Sequence, residues 1–406
     1  MITITRKPEA PLKTAILMQL LAVLAAILAA GIIMALIGYK PLEVYAQIIK
    51  GALGSAYRIR ATFNKFIPLV ILSLGVAVAF KMIFWNIGAE GQMAMGGFGA
   101  AYVALNYGHL SPWILLPAMA LAGAICGSVW ALIPAFLKTK FNTSETLVTL
   151  MMNYIALKWL TYLQYGPWKE GAFPKIPTFS DNAILPTVFG IHIGWIIALV
   201  LTVIIHILLT RTKLGYEIAV IGESQDTARY SGIAVTKVII ITMLLSGALC
   251  GLAGMVQSSA VEKTLTQGFT AGLGFTAVIT TWLARLSAPA ILLTSFVFGV
   301  LLQGGSFLET AMRISADMAK MLQAIIIFFV LGSGFFLNYR ITFAIGSWRY
   351  PKEKPCPVPA WEAGKEPLEE AAQEAAAVEA RTAAKEISEA TAEDGAQNKA
   401  KEGEGL

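Results

Sequence analysis

The residues best suited to chemistry in this sequence lie between Phe80 and Leu105, in FKMIFWNIGAEGQMAMGGFGAAYVAL. The stretch is apolar enough for a membrane interior. Yet it carries Asn86, Glu90 and Gln92 close together, with glycines at 88, 91, 96, 97 and 99. A carboxylate at membrane depth is costly unless it is paired or hydrated. Backbone groups freed by a helix break also need partners, so a broken helix survives only inside protein or beside a watery cavity. IGAEGQ therefore reads as a turn between two helical pieces near a solute pathway. The same residues suit a structural clamp, with Glu90 bonded to neighbouring backbone donors, and the sequence leaves both roles open. A second stretch, Gly268 to Leu283 (GFTAGLGFTAVITTWL), is also short, apolar and interrupted by glycine, and it follows the polar QSSAVEK at 257–263. Interrupted segments in corresponding halves of a transporter point to a site at the repeat interface.

The elements that position these residues must be membrane helices. Hydrophobic residues make up 56% of the 406 and charged residues 14%, against about 25% charged in soluble domains. The mean hydropathy is +0.67. Apolar runs predict an all-α, polytopic transmembrane bundle of about ten spans with broken helices: roughly 14–37, 65–81, 87–106, 112–136, 145–165, 190–210, 237–256, 270–285, 287–304 and 319–338. The first run follows Arg6, Lys7 and Lys13 and is long enough to span, so it reads as a retained helix and not a cleaved leader. Pro41 to Asn64 reads as an amphipathic interfacial segment, and Gly166 to Gly190 as an external loop.

Basic residues set the orientation. Arg6, Lys7, Lys13, Lys138, Lys140, Arg211, Lys213, Arg229, Lys237, Arg285, Arg340 and Arg349 fall on one side, taken as cytoplasmic; Lys169, Lys175, Lys263 and Arg313 fall on the other. Lys40, Lys50, Arg58, Arg60 and Lys65 run against this trend. The expected organisation is a cytoplasmic N-terminus at 1–13, a transmembrane domain at 14–340 with an inner loop at 211–237, and a cytoplasmic tail at 341–406. The tail is expected to be disordered from about 362. From Glu362 onward it holds 12 acidic and 5 basic residues, a net −7, so the other 361 residues carry +13 of the total +6. Gly123–Gly127 and Gly247–Gly251 have the spacing that lets helix backbones approach closely, as expected for packing within one subunit.

The inner loop, RTKLGYEIAVIGESQDTARYSGIAVTK (211–237), is too polar to span. Glu223 to Tyr230 predicts a short helix, with Glu223 and Asp226 in its first turn and Arg229 near its end, as the helix dipole favours. Gly232 is a natural terminator. Such a helix suits docking of another protein, or is an ordinary capped surface helix.

These stretches occur in a particular order: FWNIGAEGQMAMGGFGA, LVTLMMNYIA (147–156), LGYEIAVIGESQDTARYSGIAV (214–235), SGALCGLAGMVQ (246–257) and GFTAGLGFTAV (268–278). In that order they resemble the permease subunits of bacterial ABC importers, in the sugar and branched-chain amino acid permease superfamily. Within it they are most similar to the nucleoside-type permeases linked to basic membrane proteins. The resemblance covers about residues 10–338. It implies that Gly222, Glu223, Ala228, Arg229 and Gly232 form the coupling element that docks on a separate ATPase subunit. Ser224 stands where the family usually has asparagine, and GLGFTAVITTWLA where it often has GFGFTGIAVALLG. The resemblance further implies a second, related permease chain, an extracytoplasmic substrate-binding lipoprotein, and residence in the bacterial cytoplasmic (inner) membrane with both termini inside. The implied solute is a nucleoside or related purine compound, with a sugar as the other option. Phe84, Trp85, Asn86, Glu90, Gln92, Phe275 and Trp282 are the pathway candidates: aromatic faces to stack a base, amides to bond its edges or the ribose.

Other classes find little support. No G-x-x-x-x-G-K-[ST] loop is present, so ATP is expected to act through the partner and no cofactor through this chain. Cys126, Cys250 and Cys356 and the three histidines are scattered without metal spacing. No convergent set of side chains makes a membrane enzyme, and nothing points to nucleic acid. An ion-coupled secondary transporter remains the alternative, since broken helices with a buried acid suit it as well.

Overall fold

The computed structural model describes residues 2–6, 12–312 and 339–343, with isolated helical positions at 321, 324, 325 and 328. Those positions apart, the span expected at 319–338 lies outside the described residues, as does the tail from 362. The helical body covers residues 4–341; a second unit comprises residues 1–3 and 342–406. Short strands occur at Ile2–Arg6 (β1) and Tyr339–Phe343 (β4).

Twelve α-helices are described. They are α1 (Leu12–Leu36), α2 (Pro41–Leu53), α3 (Ala56–Phe80), α4 (Ala89–Asn106), α5 (Pro112–Phe141), α6 (Glu145–Tyr165), α7 (Gly194–Arg211), α8 (Lys213–Glu223), α9 (Gln225–Tyr230), α10 (Val235–Val256), α11 (Leu273–Leu283) and α12 (Ala288–Ala311). A π-helical turn, Gln257–Glu262, extends α10. Between α6 and α7, strands β2 (Thr187–Val188) and β3 (Ile191–His192) form a hairpin. Among the described residues five helices are long and apolar enough to cross a membrane: α3, α5, α7, α10 with its extension, and α12. A sixth crossing arises if Ile27–Leu36 and Pro41–Leu53, bent by 119°, count as one. This falls short of the ten read from apolar runs. Helices do occupy 87–106, 145–165 and 270–285, but α4 and α6 carry too many polar groups and α11 has only 11 residues.

The middle of the body is built on glycine. Helix α10 packs against α3, α4 and α5. A Cβ on Gly251 would fall 2.1 Å from the Gly123 carbonyl oxygen, and one on Gly127 would fall 2.3 Å from that of Gly247. Gly96 of α4 joins the crossing, with Gly251 Cα 2.2 Å from where its own Cβ would sit. The two spaced glycine pairs therefore face each other within one subunit, as expected. In lipid, such backbone contact supplies the attraction that hydrophobicity cannot. Helices α3 and α10 are mostly buried in protein, whereas α5, α7 and α12 turn most of their surface outward.

The segment before α3 differs from expectation. Pro41–Leu53 is a helix, but α3 begins at Ala56, well before 65, because the Ser55 hydroxyl caps it by accepting from the Arg58 N–H at 3.3 Å. Arg58, Arg60 and Lys65 thus lie on a crossing helix. Arg58 donates to the Lys50 carbonyl at 2.9 Å and stacks over Phe307 at 4.1 Å. Lys65 donates to the Leu302 carbonyl and the Ser306 hydroxyl. Two of the basic residues that run against the orientation rule are bound within the protein.

Candidate functional site

The break between α3 and α4 runs over residues 81–88, with Gly88 preceding the first turn of α4. It comes slightly earlier than IGAEGQ, and Glu90 and Gln92 stand on α4 itself. The Asn86 and Gln92 amides bond each other both ways, at 3.2 and 3.0 Å. The Asn86 oxygen also accepts from the Gly88 N–H at 3.0 Å, and its nitrogen donates to Ser246 Oγ at 3.1 Å. Ser246 in turn donates to the Gly75 carbonyl at 2.7 Å. From α6, Asn153 accepts from the Gly91 N–H at 2.8 Å and donates to the Ile87 carbonyl at 2.9 Å. Five segments are thus stitched around the break, and most of its freed N–H groups find acceptors inside protein.

Glu90 joins this break to the second one. Ala271 and Gly272 have φ of +47° and +74°, and α11 starts immediately after them. Glu90 Oε1 accepts from the Gly272 N–H at 3.0 Å, and Oε2 from the Gly274 N–H at 2.6 Å. A carboxylate there meets unpaired donors and the positive end of the α11 dipole. A Cβ on Gly274 would lie 2.3 Å from the Glu90 backbone nitrogen, so the two interrupted helices touch at their starts. Below this contact, Ser73 and Thr280 hydroxyls pair at 2.5 Å, and Thr281 donates to the Ser73 carbonyl.

The seven pathway candidates divide into two groups. Asn86, Glu90 and Gln92 are fully buried and bonded within the protein, and Phe84 is buried elsewhere, in the core beneath α8 and α9. These four do not line an open passage in this structure, because each polar atom or ring finds its partner inside the fold. Trp85, Trp282 and Phe275 are about 40% exposed. The Trp85 and Trp282 indoles stack at 5.4 Å and 26°, with Phe80 tilted against both. Phe80, Ser246 and Asn153 were not foreseen. The signal for the last two was a lone polar side chain in an otherwise apolar run.

The five coupling candidates lie together at one end of the body. Glu223 is the last residue of α8 and not the start of the short helix. The Ser224 hydroxyl caps α9 by accepting from the Thr227 N–H at 3.2 Å, which displaces the helix start by two residues. Serine does this work as well as asparagine. Ala228 is buried in a small core with Ile218, Ile221, Met82 and Phe84. Gly232, at φ +77°, ends the element. Arg229 and Asp226 pair at 3.4 Å on the surface beside Tyr230, which is 96% exposed. Gly222 abuts the last turn of α3: its Cβ would fall 2.4 Å from the Lys81 carbonyl oxygen.

No group of three or more His, Cys, Asp or Glu residues that could hold a metal occurs among the described residues. Broken helices meeting inside a glycine-packed bundle, with five described helices long and apolar enough to cross a membrane, define a helical membrane protein. Residues 58–331 match the family described as "Branched-chain amino acid transport system / permease component", and the chain belongs to that family. The chain is similar to the glucose ABC transporter permease protein TsgB13 of Haloferax volcanii, at 32% identity over 80% of this chain and 89% of the relative. It is similar to the nucleoside ABC transporter permease protein NupB of Lactococcus lactis, at 31% over 78% and 90%. The guanosine ABC transporter permease protein NupP of Bacillus subtilis is 30% identical over 82% and 96%. The chain is a multi-pass ABC importer permease, a transport subunit and not an enzyme, and it works with a separate ATPase.

Proposed function

We propose that this chain imports a nucleoside or related purine compound. The reading is supported by the stacked Trp85 and Trp282, an apolar platform for a flat heterocycle, and by the solutes named for two of the relatives. A sugar is the competing solute, as named for the third. In this reading Trp85, Trp282 and Phe275 meet the solute. Asn86, Glu90 and Gln92 hold the break in the shape that presents them, while Phe84 ties it to the docking end.

The ATPase would dock on Gly222, Glu223, Ala228, Arg229 and Gly232. The observation that carries this is the backbone contact between Gly222 and Lys81. A push on α8 and α9 reaches the break through two packed backbones, with no flexible side chain between. The chain binds no cofactor in this reading, and ATP acts through the partner. Ten traverses, both termini in the cytoplasm, a bacterial inner membrane, a related but different second permease and a lipoprotein delivering solute at the far end complete the scheme.

The test is ATP-driven uptake of labelled guanosine and labelled glucose by the reconstituted complex, beside co-purification of the ATPase. Guanosine uptake is expected, and an Arg229→Glu, Glu223→Lys variant is expected to lose the ATPase. Uptake of glucose alone overturns the solute, and retention of the ATPase by the variant overturns the docking site.

A further inference from the structure

At the end of the body opposite α8 and α9, a cleft of about 660 Å³ opens between α3, α7, α12 and the β2–β3 hairpin. All twelve lining side chains are apolar. Phe63, Phe66 and Phe296 contact one another ring to ring at 5.6 to 6.1 Å and form its floor. Leu199 and Leu293 at its sides are 44% and 69% exposed. A polar solute finds no partner here. A hydrocarbon chain does, on a side of the bundle where α7 and α12 turn most of their surface outward.

Two further observations narrow the occupant. Arg60 stands one turn before Phe63 on α3, so both share a face. Its guanidinium lies flat on Gly190 at the hairpin tip, where a Cβ would fall 2.6 to 2.8 Å from Nε, Cζ and Nη2. Arg58 and Lys65 are engaged within the protein, but Arg60 is exposed and makes no ion pair or hydrogen bond among the described residues. The hairpin tip itself is unusual. Phe189 and Gly190 both have positive φ, +56° and +79°, in a two-residue turn that normally takes Asn-Gly or Asp-Gly. A phenylalanine held there is strained, and its ring is 90% exposed over the cleft that it helps to line. Such strain is retained where the ring has something to cover.

We propose that this cleft binds one anionic phospholipid of the bilayer, with an acyl chain lying along the aromatic floor and the phosphate on Arg60. The planar fork of arginine matches two phosphate oxygens. Phe189 closes over the chain near the head group, at the depth where aromatic rings favour the membrane interface. One cation near a lipid surface contributes about 1 kcal/mol, about a fivefold preference for the anionic lipid.

The complete permease–ATPase complex, purified in mild detergent, is incubated with phosphatidylglycerol or phosphatidylcholine, and bound lipid is counted by native mass spectrometry. Wild type should retain phosphatidylglycerol about fivefold over phosphatidylcholine. Arg60→Gln should abolish the preference, and Leu293→Trp, which fills the cleft from an exposed position, should lower retention of both. Phosphatidylglycerol carrying brominated acyl chains should quench wild-type fluorescence more than that of Trp195→Phe, because Trp195 lines the cleft. This second reading does not depend on how the charge variant folds. Equal retention of both lipids by wild type overturns the proposal. So does quenching indifferent to Trp195, which would leave this face to a protein partner.

Discussion

Gly222 and Lys81 meet backbone to backbone: a methyl group on Gly222 would fall 2.4 Å from the Lys81 carbonyl oxygen. Lys81 is the first residue beyond α3, and four residues later the chain presents Trp85. Helix α8 therefore bears directly on the break.

Gly222→Ala should force these backbones apart, since a carbonyl oxygen cannot swing away as a side chain would. Of the five proposed coupling residues Gly222 is the one packed inward against Lys81, so the contact that the exposed Arg229 would make with the ATPase should be spared. The expected outcome is an ATPase that still co-purifies but whose hydrolysis no longer responds to solute. Uptake at wild-type rate would show that α8 does not transmit the stroke.

Trp282→Ala should remove one face of the indole stack. Aromatic stacking on a base is worth about 1–3 kcal/mol, so apparent affinity for guanosine should fall at least about fivefold. Glucose uptake, if present, should change less. Competition assays with the two solutes on the same vesicles compare them directly.

Glu90→Gln keeps the shape but replaces one acceptor oxygen with a donor facing an N–H. Losing a charge-assisted bond and leaving a buried donor unpaired costs about 2–3 kcal/mol. Thermal unfolding of the detergent-solubilised protein should show the loss. An unchanged melting temperature would mean that the Gly272 and Gly274 donors are satisfied without the carboxylate.

Gly251→Ala should be among the most damaging small substitutions, because its new methyl group meets the Gly123 backbone at 2.1 Å. Gly268→Ala serves as the comparison: nothing lies within 4 Å and its φ is ordinary. Yield and melting temperature should fall for the first and hold for the second.

His192, on the hairpin outside the spans, is buried, and neither ring nitrogen has a hydrogen-bond partner. Burial lowers its pKa from 6.5 to about 4. The native state therefore holds the neutral ring, while the unfolded chain takes up a proton as pH falls below 6.5. Stability attributable to this residue is intact above that pH and is lost as pH falls toward 4, by up to about 3 kcal/mol. His192→Leu should flatten the difference in melting temperature between pH 7 and pH 5. An identical slope in the variant would place the titration elsewhere.

The glycine crossing is legible in the sequence because Gly123–Gly127 and Gly247–Gly251 have a spacing that lipid-embedded helices use for close approach. Both helix breaks are legible too, since clustered glycines beside a carboxylate do not suit an unbroken helix facing lipid. The helices at 87–106 and 145–165 are legible as well, although the polar residues of α4 and α6 leave them outside the set that length and hydropathy alone mark as spans. The start of α3 is hidden because Arg58 and Lys65 look like signals of an aqueous loop until their partners on α2 and α12 are known. The role of Asn86 depends on Ser246, 160 residues away along the chain, which no local pattern announces. Glu223 looks like the first residue of a helix until the Ser224 hydroxyl is seen to be the cap.

The glycine crossing also bears on the order in which the protein is made. Helix α5 leaves the ribosome long before α10 exists. Until α10 arrives, Gly127 lacks the backbone it rests against, and Gly123 has only that of Gly96 on α4. The central post of the bundle is therefore among the later pieces delivered, and a nascent chain stopped before residue 235 holds a seam that nothing yet closes. Assembly in the bilayer has a defined moment of completion, set by when one glycine face meets the other.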